Sequence, residues 1–524
     1  MAKKSVPNFW RHLKLLVVAL LAGLIAGPLV APDLAWSVGN IKVTRGQARK
    51  PAVNKSKGAP KKPTKKSVRG SGKKGGAKTR ARVEQGPDPE KLPFPENVKT
   101  LARSGAVLVT DNHLGQSQSM ALFSLNPDKA YVPASILKLV TAGAALDSLG
   151  LDFRFQTNFY LDRDQNLWVV GRGDPFLVAE ELCLIMDKLK QIGLRQVKDV
   201  YLDNSFFQPG LILDGNTFTI NPYDAYNLAL GVNFNTVNYL IDQKGQIVEC
   251  DPCSPLTPVT VELAKRNLPK KRKKGRYPRE FRLNISSSPQ DAELNTGQMF
   301  KALLEKFGIP VSGQIVLGQT LPKNVKLIYS HKSSKTLADL IKELLRHSNN
   351  FMTNQIFLAM GAEKYGAPAT PAKSLRVVLD FLDKYELPTI TMVEGSGLSR
   401  QNSLTARQMS RILGTLEPIK HLIHASDDGS VIYKTGTMSD IQTLAGYLVR
   451  PDRIDEPLSF VILLNGNYRP GTREKILKAL KAHFIGPEVE LSTNQKSAAA
   501  AVPKKSSGPP PKGGGLFAPA ESAL

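Results

Sequence analysis

The chain has 524 residues and a formal net charge of +26, from 71 Lys and Arg residues against 45 Asp and Glu residues. That length holds two or three domains with sizeable cores. Most of the excess charge lies in two segments, because residues 41–85 contain 16 basic residues against one acid and residues 265–279 contain nine against none. The body of the chain is close to neutral. In a cytosolic protein the basic segments would suggest nucleic acid binding, but the start of this chain is typical of an exported protein, so we expect no nucleic acid partner.

The first 37 residues are typical of an export signal. Four basic residues within the first fourteen precede an uncharged run over 15–32, and Ala35-Trp36-Ser37 offers a small-x-small cleavage site. The run is short for a membrane helix and contains Gly27-Pro28. The sequence predicts a cleaved signal peptide over 1–37 and a periplasmic or other extracytoplasmic location, with an uncleaved membrane anchor as the alternative.

Two low-complexity segments are predicted to be disordered. Residues 38–91 are rich in Lys, Gly, Pro and Ser, and residues 488–524 are rich in Ala, Pro, Gly and Lys. Such compositions cannot bury a core. Outside the cytoplasm, a basic linker of this kind is suited to anionic lipids or wall polymers. The alternative is a solubilising tether with no defined partner.

The segment Ser135-Ile-Leu-Lys138 opens a run of apolar residues at helical spacing that ends at Gly150. Ser135 is therefore predicted in the first turn of a helix, with Lys138 one turn further on and on the same face. A serine hydroxyl is a weak nucleophile until a neighbouring base takes its proton, and a lysine is such a base when burial or nearby cations keep it neutral. The alternative is a helix N-cap followed by a solvated lysine, but the neighbours of Lys138 are apolar. A second S-x-x-K match, from Ser71 to Lys74, lies in the basic stretch and is attributed to chance.

Residues 155–318 alternate short β-rich runs with turns and are predicted to form one or two small β-rich subdomains. The predicted strands cover 155–161, 167–170, 197–203, 237–241 and 259–263. A helix over 291–307 leads out of this region, and the basic run 270–274 is predicted to be an exposed loop within it.

A second polar motif, Ser348-Asn349-Asn350, follows an amphipathic helix predicted over 337–346, and apolar residues resume at 351. A connection between two helices can aim the side chains of Ser348 and Asn350 at one point. The alternative of a solvated helix connection stays open for Asn349.

The third motif, Lys434-Thr435-Gly436-Thr437, lies in a predicted strand. The predicted strands and helix in this part of the chain cover 430–437, 442–449, 458–464 and 472–484. Gly436 lets another backbone approach an edge strand closely, and Lys434 with Thr435 supplies donors for a carboxylate. An isolated K-T-G is usually just part of a polar surface. A functional role for this one is supported because it follows the other two motifs in order.

The chain contains three cysteines and seven histidines. An exported chain would allow Cys250 and Cys253 to form a disulfide that closes a small loop. The alternative, a redox C-x-x-C motif, lacks the helix that should follow it. Cys183 lies in an apolar stretch and is predicted to be a buried helix residue. The histidines show no metal-ligand spacing, so we predict no metal and no cofactor.

In this order, S-x-x-K, S-x-N and K-T-G form the active-site set of penicillin-recognising acyl-serine enzymes. The chain resembles one group of them, the class C low-molecular-mass penicillin-binding proteins, which are D-alanyl-D-alanine carboxypeptidases and endopeptidases. The resemblance covers about residues 92–487. It rests on these segments: Pro133-Ala-Ser135 with Lys138-Leu-Val-Thr-Ala, Gly171-Arg-Gly-Asp-Pro175, Glu394-Gly-Ser-Gly-Leu-Ser-Arg400 with Asn402, Leu444-Ala-Gly-Tyr447, and Asn465-Gly466.

The resemblance implies an α/β (α+β) fold with a β-lactamase/transpeptidase-like core, in which helices flank a five-stranded antiparallel sheet. Two strands would come from the N-terminal part of the catalytic domain and three from the C-terminal part. This domain is expected over 92–154 and 319–487, with the β-rich region 155–318 inserted. Ser348 follows Ser135 by 213 positions (348 − 135), more than a compact β-lactamase places between these motifs.

The resemblance also implies roles for individual residues. The implied catalytic residues are Ser135, Lys138, Ser348, Asn350 and Lys434, and the implied substrate-binding residues are Thr435, Gly436 and Thr437. Ser135 would attack while Lys138 takes its proton, and Ser348 would relay a proton to the leaving group. Lys434 and Thr435 would hold the terminal carboxylate. The amides of the nucleophile and of the residue after the K-T-G would stabilise the oxyanion.

The implied partners are peptidoglycan stem peptides as substrates and β-lactams as inhibitors. The chain departs from the family pattern at Glu394, where Asp is usual, and at Asn349, where Asp is frequent. The family also uses an acidic residue of its insert to read the free amine of the peptide's diamino acid, and Asp214 and Asp224 are the nearest candidates. Two alternatives stay open: a β-lactamase, and a catalytically silent wall-binding scaffold.

Overall fold

A computed structural model describes residues 88–113, 120–268, 278–285 and 288–486. The predicted signal segment, the C-terminal tail, the basic run 270–274 and nearly all of the basic linker lie outside these residues, so what was expected of them stays a prediction. None of the helices within the described ranges combines the length and the apolarity that crossing a bilayer requires.

Helices and strands alternate along most of the described chain. The α-helices are α1 (Glu96–Ala102), α2 (Lys138–Leu149), α3 (Ala179–Gln191), α4 (Pro258–Arg266), α5 (Pro289–Lys306), α6 (Leu337–His347), α7 (Asn350–Tyr365), α8 (Pro371–Lys384), α9 (Ala406–Leu416) and α10 (Thr472–Phe484). The strands are β1 (Ala106–Asp111), β2 (Met120–Leu125), β3 (Ala130–Tyr131), β4 (Gln156–Leu161), β5 (Leu167–Gly171), β6 (Val200–Asp203), β7 (Thr236–Ile241), β8 (Ile247–Val248), β9 (Arg279–Asn284), β10 (Ile315–Val316), β11 (Lys326–Lys332), β12 (Leu404–Thr405), β13 (Val431–Met438), β14 (Ile441–Arg450) and β15 (Arg453–Asn465).

The central sheet has the strand order β13-β14-β15-β1-β2, and every neighbouring pair is antiparallel. Two strands come from the N-terminal part of the domain and three from the C-terminal part. This arrangement confirms the predicted five-stranded antiparallel sheet. Strand β13, which carries the third motif, lies at one edge of the sheet.

Helices cover both faces of this sheet, and the side chains of β1 show how. Val107 and Val109 pack in a core with residues of α1 and α10 on one face. Ala106 and Leu108 belong to the core around α2 and α9 on the other face. All residues of β1 are buried. A strand held between two helical layers is apolar without alternation, as the first four residues of this one are.

Helix α2 runs through the centre of the helical layer, and it is buried from Lys138 to Leu146. It contacts α6, α7 and α8. A helix without a solvent face is apolar all round, and in this buried stretch Lys138 is the one charged residue. The fold therefore places a lysine where water cannot solvate its charge.

The region after α2 contains a second five-stranded sheet with the order β10-β6-β5-β4-β11. Strands β5, β6 and β10 pair in parallel, whereas β4 pairs antiparallel with β5 and β11. Residues of α3 and α5 form the core on this sheet. A smaller sheet, β8-β7-β9, packs with α4. Strand β11 joins the larger sheet although it lies beyond residue 318, where the predicted insert ends.

The strands predicted near 156, 167, 200 and 237 are present as β4 to β7, but the strand predicted over 259–263 is wrong. This segment is helix α4. Thr257 caps the helix by accepting a hydrogen bond from the amide of Thr260 at 3.0 Å, and Pro258 occupies the first turn. Val259 and Leu263, four residues apart, then pack against one apolar cluster. The β-branched composition of the segment favours a strand, but the N-cap at Thr257 stabilises a helix instead.

The predicted Cys250–Cys253 disulfide is also wrong. Cys253 is bonded to Cys183 of α3, 70 residues away in sequence, and the two Cα atoms are 5.7 Å apart. Cys250 is exposed and is a free thiol. The prediction followed closeness in sequence, whereas the fold brings α3 against the loop that carries Cys253. Cys183 is a helix residue as predicted, but it is half-buried and covalently linked.

Candidate active site

Ser135 lies in a 3-10 turn, Ala134–Leu137, that leads directly into α2. The sequence predicted the first turn of the α-helix, and the structure places Ser135 in the tighter turn just before it. Ala134 has a left-handed backbone with φ of 48°, a conformation that is unfavourable for a residue with a Cβ. Gly397 packs against the carbonyl of Ala134 so closely that a Cβ there would collide with it. The turn that presents Ser135 is therefore held in a strained shape by its neighbours.

Lys138 Nζ has three polar neighbours. It lies 3.0 Å from Ser135 Oγ, 2.8 Å from Asn350 Oδ1 and 2.6 Å from the carbonyl oxygen of Ser396. The side chain is fully buried. Burial is the main reason that the pKa of Lys138 lies well below its usual value, and the charge of Lys434 lowers it further against an opposing effect of Glu394.

These neighbours suit a neutral amine that acts as a base. A neutral lysine has two N–H donors and one lone pair. The oxygens of Asn350 and Ser396 can only accept, so they take both donors and leave the lone pair for the hydroxyl proton of Ser135. After the proton moves, the ammonium has three donors for the same three oxygens. Every N–H donor of Lys138 therefore has an acceptor in both protonation states, and the surrounding groups need not move when the proton is transferred.

The second motif is the junction between α6 and α7. Ser348 ends α6 in the left-handed conformation, with φ of 53°, and Asn349 caps α7 by accepting a hydrogen bond from the amide of Met352 at 3.0 Å. Asn350 begins α7 and faces Lys138. Ser348 Oγ accepts a hydrogen bond from Lys434 Nζ at 2.9 Å. The structure thus brings Ser348 and Asn350 to one site, as predicted, and gives Asn349 a capping role.

The third motif lies along the edge strand β13. Lys434 is 3% exposed and also donates to the carbonyl oxygen of Thr435 at 2.8 Å. Burial, followed by the charge of Arg473, lowers the pKa of Lys434 to about 7. A buried lysine that titrates near neutrality is typical of functional sites.

Gly436 brings β13 directly against the nucleophile turn. A Cβ at this position would lie 2.9 Å from the amide nitrogen of Ser135, so glycine is required for the contact. The amide of Tyr433 points away from β14, since it donates to the carbonyl of His424 at 2.8 Å. Alternate residues of a strand direct their amides to the same side, so the amide of Thr437 faces outward near the amide of Ser135. Two outward amides beside a serine are the donors that an oxyanion hole requires.

A buried carboxylate supports the loop opposite Lys138. Glu394 has no solvent exposure, and its two oxygens accept six hydrogen bonds. The donors are the side chains of Asn354, Ser396 and Asn402 and the amides of Ser396, Gly397 and Ser399. The carboxylate therefore fixes the loop whose Ser396 carbonyl contacts Lys138. Glu394 was visible in the sequence as part of a family segment, but the role of a backbone carbonyl carries no sequence signal.

A cavity of about 730 Å³ opens in front of Ser135. Its lining includes Ser348, Asn350 and Thr437 from the three motifs, together with Asp214. Asp214 also accepts a hydrogen bond from the hydroxyl of Ser399.

Asp224, the other acidic candidate, is not among the residues that line this cavity. It is buried and accepts hydrogen bonds from the hydroxyls of Thr217 and Thr219 at 2.7 and 2.5 Å. Asp224 thus stabilises its own loop.

Comparison with known sequences assigns the chain to a family. The sequence model of the D-Ala-D-Ala carboxypeptidase 3 (S13) family matches residues 101–262 and 274–421, more than half of the chain. A D-alanyl-D-alanine carboxypeptidase of Actinomadura sp. (strain R39) is 27% identical over 429 residues, which cover 70% of this chain and 78% of that protein. The D-alanyl-D-alanine carboxypeptidase DacB of Haemophilus influenzae is 26% identical over 445 residues, 74% of this chain and 89% of the relative.

Comparison of structures supports the same fold. The crystal structure of penicillin binding protein 4 (dacB) from Haemophilus influenzae matches with a TM-score of 0.61 and 21% identity, over 74% of this chain and 98% of that one. The chain belongs to the D-Ala-D-Ala carboxypeptidase 3 (S13) family. It is a serine-type carboxypeptidase, a hydrolase of cell-wall peptides. The family, the fold and the enzyme class predicted from the three motifs are confirmed.

Proposed function

We propose that Ser135 is the nucleophile of this carboxypeptidase and that Lys138 is its base. The observation that carries the proposal is the convergence of the three motifs on one point. Lys138 Nζ contacts Ser135 and Asn350, and Lys434 Nζ contacts Ser348, all at hydrogen-bond distance. A buried lysine of lowered pKa beside a serine at the mouth of a cavity is the arrangement that nucleophilic catalysis requires.

The acylation step follows from this geometry. Ser135 Oγ attacks the carbonyl carbon of the penultimate D-Ala, while its proton passes to Lys138. The amides of Ser135 and Thr437 stabilise the negative charge on the carbonyl oxygen. The peptide C–N bond then breaks, and the departing D-Ala nitrogen takes the proton that Lys138 received from Ser135, with Ser348 as the relay. Water hydrolyses the resulting ester and restores Ser135.

The third motif supplies substrate recognition in this proposal. Lys434 and Thr435 bind the carboxylate of the terminal D-Ala, and Gly436 allows the peptide to lie against the edge of β13. Peptidoglycan stem peptides are the proposed substrates, and cleavage of a cross-link would use the same steps on a longer molecule. β-Lactams would acylate Ser135 in place of the peptide. The position of Asp214 in the lining of the cavity favours it over Asp224 as the residue that reads the diamino acid.

We also propose that the protein works outside the cytoplasm, after export by the segment 1–37. The charge pattern of that segment and the cell-wall substrate of the family support this location. The basic linker 38–91 would then hold the enzyme near anionic lipids or wall polymers.

Intact-mass spectrometry with benzylpenicillin tests the assignment of Ser135. A stable adduct of one penicillin is expected on the wild-type chain and none on Ser135→Ala. Ser71→Ala is the matched control, because Ser71 begins the other S-x-x-K of the chain, and this variant should still be acylated. Rapid penicillin hydrolysis without an adduct would indicate a β-lactamase. The absence of both adduct and hydrolysis would favour the wall-binding scaffold.

A further inference from the structure

Arg473, in the first turn of α10, contacts the third motif. Its Nη1 donates to the carbonyl oxygen of Gly436 at 2.7 Å and to Thr437 Oγ1 at 2.8 Å, with the carbonyl oxygen of Thr443 at 3.4 Å. The side chain is 15% exposed. No motif of the sequence includes this residue, and none of the catalytic steps above uses it.

One contact holds the guanidinium itself, and a second fixes the chain just before α10. Its Nε donates to Glu474 Oε1 at 2.6 Å. The start of α10 is tied to β14 because Gln442 Nε2 donates to the carbonyl oxygen of Arg469 at 2.9 Å. A planar guanidinium that is fixed in this way contacts its partners with little further loss of side-chain freedom.

The contact with Thr437 determines what its hydroxyl can do. A hydroxyl group has one proton and accepts through its lone pairs. Because Thr437 Oγ1 accepts from the guanidinium, its proton is free to be donated to another acceptor. Thr437 is exposed and lines the cavity in front of Ser135. The hydroxyl therefore offers a polarised donor to a group bound in that cavity.

Arg473 also changes the charge balance of the motif. Its positive charge is, after burial, the second cause of the low pKa of Lys434. Near pH 7, Lys434 thus has only part of its charge, whereas a guanidinium keeps its charge throughout the pH range of enzymes. A carboxylate bound at the end of β13 is attracted by a constant charge, which the ion pair with the exposed Glu474 offsets in part, in addition to a titrating one.

We propose that Arg473 is a positioning residue for recognition of the carboxylate of the substrate: it orients the Thr437 hydroxyl as a donor and adds a permanent positive charge beside it. This inference rests on the proposed function of the same site. A merely structural role, in which Arg473 only fastens α10 to β13, predicts that its loss disturbs every ligand of the site equally. Recognition of a carboxylate predicts a selective effect.

The experiment compares acylation of Ser135 by benzylpenicillin and by its methyl ester, which lacks the charged carboxylate. Second-order rate constants are measured by intact mass for wild type, Arg473→Gln, Arg473→Lys and Lys475→Ala. Lys475 is the control, since it lies on the same helix and loses the same charge, but its partner is Glu90 at 2.6 Å. Arg473→Gln is expected to react about 10- to 100-fold more slowly with the acid and to change little with the ester, so the acid-to-ester ratio falls by that factor.

Further variants separate the two parts of the proposal. Thr437→Val, at an exposed position, should lower the same ratio while Arg473 is present, and adding Arg473→Gln to it should lower the ratio by less than the product of the two single effects. Arg473→Lys should keep part of the preference. In Arg473→Gln, the pH at which acid acylation declines should move upward as the pKa of Lys434 rises.

An unchanged acid-to-ester ratio in Arg473→Gln and in Thr437→Val would overturn the inference while the proposed function stands. Equal slowing of acid and ester would also overturn it and would assign Arg473 to structural support. Absence of Ser135 acylation in the wild type with both compounds would overturn the proposed function and this inference with it.

Discussion

Lys434 Nζ donates a hydrogen bond to Ser348 Oγ at 2.9 Å, so the charge of the third motif is in direct contact with the hydroxyl of the second. The pKa of Lys434 is lowered to about 7 by burial and then by Arg473. Protonation of this amine therefore changes within the pH range in which the enzyme would act, and it changes two functions together: attraction of a carboxylate and the hydrogen bonding of Ser348.

Binding of a carboxylate-bearing substrate is expected to weaken as pH rises through about 7. Below this pH Lys434 is charged and attracts the carboxylate, and above it the neutral amine makes only an ordinary hydrogen bond. The difference between a charged and a neutral hydrogen bond is about 1.4 kcal/mol, so KM should rise about tenfold between about pH 7 and about pH 9. Release of D-Ala from a D-Ala-D-Ala peptide, followed across this range, measures it. Lys478→Ala, at an exposed position of α10, should keep the wild-type profile, and a constant KM would contradict the prediction.

Replacement of Lys138 by Met is expected to abolish most of the acylation without unfolding the protein. A general base contributes about 10²- to 10⁴-fold to a reaction rate. Removal of a buried amine also removes its desolvation cost, which offsets the donors lost to Asn350 and Ser396. Lys138→Arg should be equally inactive, because a guanidinium does not give up its proton. The rate of penicillin adduct formation and the melting temperature are measured together, with Lys342→Met on the surface of α6 as the control. Acylation of Lys138→Met at the wild-type rate would assign the base to another group.

Glu394→Gln is expected to destabilise the protein by about 2–4 kcal/mol and to slow acylation. Both oxygens of this buried carboxylate act as acceptors, for six hydrogen bonds in total. A glutamine would replace one of these oxygens by an NH2 group, which would face the donors of its former partners. The loop that carries the Ser396 carbonyl would shift, so Lys138 would lose one of its acceptors. Urea unfolding gives the stability, and Glu305→Gln, at an exposed position of α5, should change it little. Unchanged stability of Glu394→Gln would show that the loop does not depend on the carboxylate.

Loss of the Cys183–Cys253 disulfide is expected to cost about 4 kcal/mol, since the bond closes a loop of 70 residues in the unfolded chain. Cys253→Ser and Cys183→Ser should therefore lower the melting temperature by similar amounts. Cys250→Ser should leave it unchanged and should remove the one thiol that reacts with a thiol reagent in the folded, oxidised protein. A lower melting temperature in Cys250→Ser, with no change in Cys183→Ser, would contradict this pairing and support a Cys250–Cys253 disulfide.

The sequence predicted those parts of the site that depend on side-chain chemistry in a recognisable order. Ser135, Lys138, Ser348, Asn350 and Lys434 are brought together as their motifs indicated, and the five-stranded sheet is present as the family resemblance implied. The assignment of catalytic roles to these residues stays a prediction.

The rest depends on long-range packing that no local pattern contains. The Ser396 carbonyl contacts Lys138 through its backbone, which any residue would offer. Arg473 lies in a helix that was predicted correctly, but nothing in the helix shows which strand it faces. The partner of Cys253 depends on where α3 packs. The prediction of a strand over 259–263 is wrong because the N-cap at Thr257 stabilises a helix despite the β-branched composition.

The contacts of Lys138 span separations of 3, 212 and 258 residues along the chain. In an extended or partly folded chain, a lysine has its ordinary pKa and is protonated at neutral pH, so it can accept no proton from a serine. With Lys138 as the proposed base, the protein acquires its reactivity only when the last of these segments has packed around the amine. On this proposal, completion of folding is the step that activates the enzyme, and a partly folded chain has no hydrolytic activity.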